Sequence, residues 1–437
     1  MQPTGNIWYK MMTLFLVLAL LVPILAACGD DETPTATTSE ATKTTEPTKT
    51  VEPTKTAEPP TTTEVPFVND PVKIAVIQDW SGPMAIAGLL TEGPMELLRW
   101  WYNEKQGGLL LKKEGVRRPI EFVKCDMKSQ TADANGCALK MILDEKVSVL
   151  TMGGWTEAHA LATADVGEKY KVLYVGAFVG PVLTEDHRWT LDVRGLRAPP
   201  TIAFVKKLQP KTVGYFATDA AGERGYIAEI KKNLEGAGIK TVYEQYYTQG
   251  TNDFSPYLTR IKYEAPDVLV TSADPAAYQA MYKQIMEQGG WGDIKCVAVM
   301  ENGSAPNLVT RPGAVGTYAP LRYLYGHGGA GARTFEEMWA QKCKEDPAWC
   351  QKWAAGKSMP TPTASFSDIM FNSFLVAVKA VEHAGTSDPA AVAEAARSGD
   401  FVVDSPFGQL AFDTKGVALA PGFYVQVQAG GVLVPVE

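Results

Sequence analysis

Three carboxylates stand just after apolar segments of strand length: Asp219 after residues 212–217, Asp274 after 267–271 and Glu301 after 295–299. Earlier in the chain two hydroxyls occupy similar places, Ser81 after 72–77 and Thr156 after 147–152. Hydroxyls and the free backbone N–H groups at helix starts hold an anionic group such as a carboxylate. Acids on the opposite side suit an amine, through charge-assisted hydrogen bonds. Trp80, Trp155 and Phe178 supply aromatic walls, and the glycines among them let the backbone approach a ligand closely. The set fits capture of an amino-acid-like molecule. Each residue also has a plainer use. Ser81, Thr156, Asp219 and Asp274 are types that cap helices, and Trp155 and Phe178 are types that fill cores.

Signs of catalysis are weak. The four histidines, His159, His187, His327 and His383, lie in no HExxH pattern, and there is no GxSxG elbow. Residues 326–331, GHGGAG, fit GxGxxG only formally, because no strand with an acidic end follows. That segment reads as a loop. No two cysteines are two to four residues apart, so metal-ligand spacing is missing. The expectation is a binding protein, not an enzyme, with no cofactor and no metal. The rival with most weight is the ligand-binding component of a sensory system. A receptor of that kind would normally continue into a transmembrane helix, and neighbouring permease or kinase genes would separate the two.

The elements that must position these residues alternate. From residue 71, apolar runs at 72–77, 120–124, 147–152 and 172–175 are separated by amphipathic stretches at 89–104, 132–143 and 157–170. The pattern restarts after 194–200, with strands at 212–217, 240–246, 267–271 and 295–299 and helices between them. Continuous apolar strands between helices mean parallel sheets covered on both faces. Two such runs predict an α/β fold of two doubly wound parallel-sheet lobes, with the ligand outside the carboxyl ends of the strands. The loops that should line the cleft are 78–83, 153–156 and 176–181 in one lobe and 218–222, 272–275 and 300–303 in the other. The first lobe is expected to comprise 67–195 with 318–403, and the second 196–317 with 404–437. The return crossing is expected at 314–318, with 410–412 and 423–427 both rejoining the second lobe.

The 437 residues suffice for two such cores, and 46% of them are hydrophobic. A formal net charge of -8 without a long basic run argues against nucleic acid as a partner. Cys125 and Cys137 flank a strand-to-helix connection, and Cys343 and Cys350 bracket a short segment containing Pro347. In an oxidising compartment each pair could be a disulfide, or else buried free thiols. Cys296 lies in an apolar strand and reads as core.

The N-terminus reads as an address. Lys10 precedes an apolar run at 11–27 that is short for a transmembrane helix and has the parts of a secretory signal. It ends in Leu25-Ala26-Ala27-Cys28, which resembles the lipobox of bacterial lipoproteins. That resemblance implies signal removal after residue 27 and lipidation of Cys28, with stable attachment through two acyl chains. Residues 28–66 are rich in Thr, Pro and Glu, with EPTKTV and EPTKTA in tandem at 46–57. So little apolar area cannot offset the entropy of ordering, so the segment reads as a disordered tether.

VKIAVIQDWSGPMAIAG, a helix running on to Asn103 and the glycines 107–108, and the late FGQLAFDTKG at 407–416 together resemble the type I periplasmic binding proteins. The closest branch is the Leu/Ile/Val-binding one that serves ABC importers. The resemblance runs from about residue 71 to the C-terminus. It implies two lobes joined by three crossovers and closing by hinge motion on a small molecule. It implies a monomer that delivers its ligand to a permease with ATPase subunits, outside the cytoplasm. The family's amino-acid site carries over in part. Thr156 keeps the hydroxyl of a loop usually rich in Ser and Thr. Ala177, Phe178 and Val179 stand where an Ala-Thr-like pair grips the ligand. Ala221 replaces a frequent aromatic, and Glu301 matches the acid of the last cleft loop. Lost hydroxyls and gained aromatics point away from leucine, isoleucine and valine, toward an aromatic acid, an amide or another amino-acid derivative.

Overall fold

The apolar run after Pro71 forms strand β1 (Val72–Gln78), buried except at Lys73. The structure, a computed structural model, describes residues 65–437 apart from 155, 177–182, 196, 301–305, 322–323, 325–329, 355–366, 406–407, 420–422 and 437. The signal, the lipidated cysteine and nearly all of the tether expected from the sequence lie outside these residues. Among the described residues no helix is long and apolar enough to cross a membrane.

β1 pairs in parallel with β4 (Ile120–Asp126) on one side and β5 (Val149–Met152) on the other. β6 (Leu173–Gly176) and β7 (Thr190–Asp192) extend the sheet, giving the order β4-β1-β5-β6-β7. A hairpin of β2 (Leu109–Leu111) and β3 (Val116–Arg118) precedes β4. Helices α1 (Ile86–Trp100), α2 (Thr131–Leu143) and α3 (Glu157–Tyr170) return the chain between parallel strands. Two apolar clusters line the faces of this sheet. Ile74 and Val76 point into one, and Ala75 and Ile77 into the other. A strand covered on both sides has no polar face to alternate with, which is why VKIAVIQ reads as continuously apolar.

After α4 (Ala198–Lys207) the pattern repeats in β8 (Thr212–Thr218), β9 (Lys240–Tyr247), β10 (Val268–Ser272) and β11 (Lys295–Ala298), all parallel. The accompanying helices are α5 (Ala221–Glu235), α6 (Ser255–Glu264), α7 (Pro275–Glu287) and the short α8 (Pro306–Val309).

Two expectations need correction. Residues 318–321 do not begin the return to the first lobe. They form β12 (Tyr318–Leu321), which pairs in parallel with β11 at Tyr318 and antiparallel with β16 (Phe423–Val427). With β17 (Leu433–Pro435) outside, the second sheet has the order β17-β16-β12-β11-β10-β8-β9. Ala319 and Leu321 are buried, so the segment is held by packing as well as by its ladder. Residues 410–412 do not join the second sheet. They belong to β14 (Gly408–Phe412), which pairs with β13 (Val403–Ser405) and β15 (Ala418–Leu419) in a small antiparallel sheet. Val403, Leu410 and Ala418 pack in the first core.

Helices α9 (Ala330–Glu345), α10 (Pro347–Ala354), α11 (Ser367–Ala384) and α12 (Pro389–Ala396) also complete the first core, through Phe335, Trp339, Trp349, Phe371, Phe374 and Val392. Cys125 at the end of β4 is bonded to Cys137 of α2, and Cys343 of α9 to Cys350 of α10. Cys296 is a buried free thiol, pushed up to about 12 by burial.

Candidate functional site

The carboxyl ends of the two sheets meet through their helices. Glu157 opens α3, which follows β5, and its carboxylate packs directly on Gly222, the second residue of α5, which follows β8. A Cβ at residue 222 would overlap that carboxylate, so only glycine permits this approach without moving the acid. Arg194 and Arg197, both buried, lie in the connection from β7 to α4. Their guanidinium groups reach Met300 Sδ at 3.8 and 3.6 Å, at the end of β11. Arg197 also stands 5.2 Å from the centre of the Tyr226 ring on α5.

These contacts gather charge between the lobes. Glu223 on α5 accepts a hydrogen bond from the Ser272 hydroxyl at the end of β10. Burial pushes its carboxyl above the ordinary value, and Ser272 and Arg197 oppose that rise. Glu157 is raised as well, first by burial and then by the negative charge of Glu223, with Arg197 pulling it back. Asp192, buried at the end of β7, accepts the Arg194 N–H at 2.8 Å. None of Glu157, Asp192, Arg194, Arg197, Glu223 and Tyr226 was singled out from the sequence. An acid in the first turn of a helix looks like ordinary compensation of the helix dipole, so nothing local marks it.

The residues expected at the cleft divide by what they touch. Asp274 caps α7, accepting the N–H groups of Ala276 and Ala277 at 2.8 and 2.9 Å. Thr156 caps α3, accepting the His159 N–H at 3.2 Å. Asp219 is exposed and pairs with Arg224 Nε at 2.6 Å, which holds its carboxyl below the usual range. The Ser81 hydroxyl donates to Asp126 Oδ2 at 2.6 Å, while Asp126 Oδ1 accepts the N–H groups of Trp80, Ser81 and Lys128. Ala221 is the exposed first residue of α5. Trp80 packs against the first core with the Lys124 ammonium 5.3 Å from its ring. Trp155, Ala177, Phe178, Val179 and Glu301 lie outside the described residues.

Beneath the first-lobe loops sits a polar residue of the expected loop 78–83 that was not among the contacts expected from the sequence. Asp79 follows β1 directly and is fully buried, and neither carboxylate oxygen has a hydrogen-bond partner. Burial pushes its carboxyl up, against the nearby His159 and Ser129. Ser129 stands near but is engaged elsewhere: its hydroxyl donates to the Ser81 carbonyl and accepts the Met84 N–H. His159 Nδ1 and Trp80 Nε1 are likewise buried and unpaired. Among the described residues no group of three or more His, Cys, Asp or Glu could hold a metal ion. A surface groove between α4 and α5, lined by Lys206, Glu229 and Lys232, lies toward the opposite end of α5 from Gly222.

Residues 71–431 match the family described as periplasmic binding protein. The chain belongs to that family. A curated relative, the leucine-, isoleucine-, valine-, threonine- and alanine-binding protein of Pseudomonas aeruginosa, is 24% identical over 365 residues, 79% of this chain and 87% of the relative. Among solved structures, a leucine-binding protein of Thermotoga maritima superposes with a TM-score of 0.67 at 21% identity, covering 84% of this chain and 98% of its own. An ABC-transporter solute-binding protein of Rhodopseudomonas palustris, in complex with 3,4-dihydroxybenzoic acid, gives 0.67 at 19% identity, covering 84% and 96%. At such identities the structures speak for the fold: two α/β lobes of the type I periplasmic binding kind.

Proposed function

We propose that this chain is the extracytoplasmic solute-binding lipoprotein of an ABC importer. It captures an amino acid, or an amino-acid-like or aromatic small molecule, between its lobes and delivers it to the permease. One observation carries the reading: the carboxyl edges of two parallel sheets converge where Glu157 meets Gly222, the place where open α/β sheets bind ligands. Membership of the periplasmic binding family supports it. So do relatives named for binding branched-chain amino acids and one solved with an aromatic acid. The proposed contacts are Trp80, Ser81, Thr156, Asp219, Ala221 and Asp274, with Trp155, Ala177, Phe178, Val179 and Glu301 from the adjoining loops.

Thermal unfolding of the full chain against amino acids, aromatic acids, amides and polyamines tests the reading. A solute at a hundredfold excess over its dissociation constant stabilises by about 2.7 kcal/mol. For a domain of this size that raises the midpoint by roughly 3 °C. A shift confined to one chemical class supports solute capture; a flat response to all four counts against it. The anchor is tested separately. Cys28→Ser should move the protein from the membrane to the soluble fraction, and retention after a carbonate wash would point to an uncleaved apolar segment instead.

A further inference from the structure

We propose that Asp79 receives a positively charged, N–H-bearing group of the solute, an ammonium, at the carboxyl edge of the first sheet. The proposal rests on the solute-binding reading above and narrows it.

Asp79 directly follows β1, which lies between β4 and β5. Asp126 ends β4, and His159 lies in the first turn of α3 after β5. Three neighbouring strand ends therefore surround the Asp79 carboxyl on the side of the sheet where a ligand belongs.

A buried carboxylate is ordinarily held by hydrogen bonds or an opposite charge, because desolvation is costly. Asp79 is fully buried and neither of its oxygens has a partner in good hydrogen-bonding geometry; the Ser129 hydroxyl and N–H stand close enough only to oppose the effect of burial. Other donors around this end of the sheet are engaged elsewhere. The Gln78 amide donates to Thr91 Oγ1, Ser129 serves the loop backbone, and Lys124 bonds Glu92. No hydrogen bond joins His159 to Asp79, and His159 Nδ1 is itself unpaired.

Of the charged groups that act on Asp79, Asp126 is an anion that raises its carboxyl further, while His159 opposes the rise. A second anion from the solute would be repelled there, while an ammonium would supply the three donors and the charge that the site lacks. That requirement fits an amino acid and not a simple aromatic acid, which has no ammonium.

Calorimetric titration of the full chain with matched pairs tests this: L-leucine against 4-methylpentanoate, and L-phenylalanine against 3-phenylpropanoate, with benzoate beside them. The expected result is binding of an amino member at least about 100-fold tighter than its ammonium-free partner, since a site built around a buried polar group rejects the analogue that leaves it unpaired. Asp79→Asn should weaken that binding by about tenfold or more, whereas Glu301→Gln should cost less. Without solute, the Asp79→Asn midpoint should stay level or rise, because an unpaired buried charge is removed; a clear fall would mean that Asp79 is held internally, and would overturn the proposal. So would equal binding by Asp79→Asn and wild type, or a larger loss in Glu301→Gln. If an ammonium-free acid or benzoate binds as tightly as the amino members and Asp79→Asn leaves it unchanged, solute capture stands and the Asp79 assignment falls. Binding of none of the five counts against both.

Discussion

Glu157 and Glu223 come from different lobes and share Arg197, so the region carries more negative than positive charge at its centre. Both carboxyls are raised, each chiefly by burial. A raised carboxyl means that the folded state binds more protons than the unfolded one, so stability falls as pH climbs from the ordinary value of 4.5 through the folded values. Glu157→Gln removes its share of that slope. Its thermal midpoint should exceed wild type at neutral pH, and the two curves should converge below pH 4.5. A lower midpoint at neutral pH would mean that Arg197 gains more from the acid than burial costs. At this scale the sequence was only partly readable. Thr156 and Asp274 are polar residues at helix starts, and they do cap their helices. Whether they also touch solute was never a property of their types. Asp79 was hidden for the opposite reason: a single acid after an apolar run looks like the first residue of a loop, and only the packing around it reveals that it is buried without a partner.

Strands and helices were far more legible. A parallel strand covered on both faces leaves an unbroken apolar run, and β1, β5, β8, β10 and β11 all do so. The hairpin of β2 and β3 and the three-residue β7 left too short a pattern to read. β12 and β14 were misplaced for a different reason. Their sequences identify strands, but a strand's sheet is decided by its partner, and the partners here are remote: β16 lies about a hundred residues after β12. Similarly, nothing in the sequence of α11 states that Phe371 and Phe374 pack on the first core and not the second. The helical period fixes which side of a helix is apolar, not what covers it.

At the scale of the molecule, each sheet has an apolar cluster on either face, so each lobe is a self-sufficient core. Among the described residues, contacts across the cleft include Glu157 on Gly222 and two arginines reaching Met300. Contacts of that kind add little apolar burial, so a solute's own contacts with both lobes can shift the balance between open and closed forms. Solute capture by such closure changes the dimensions of the molecule. Small-angle X-ray scattering of the full chain, with and without a saturating amount of the solute that gives the largest thermal shift, tests it most directly. The tether contributes to both curves, so the difference between them reports on the lobes. Closure requires a smaller radius of gyration with solute, and superimposable curves at saturation would rule it out.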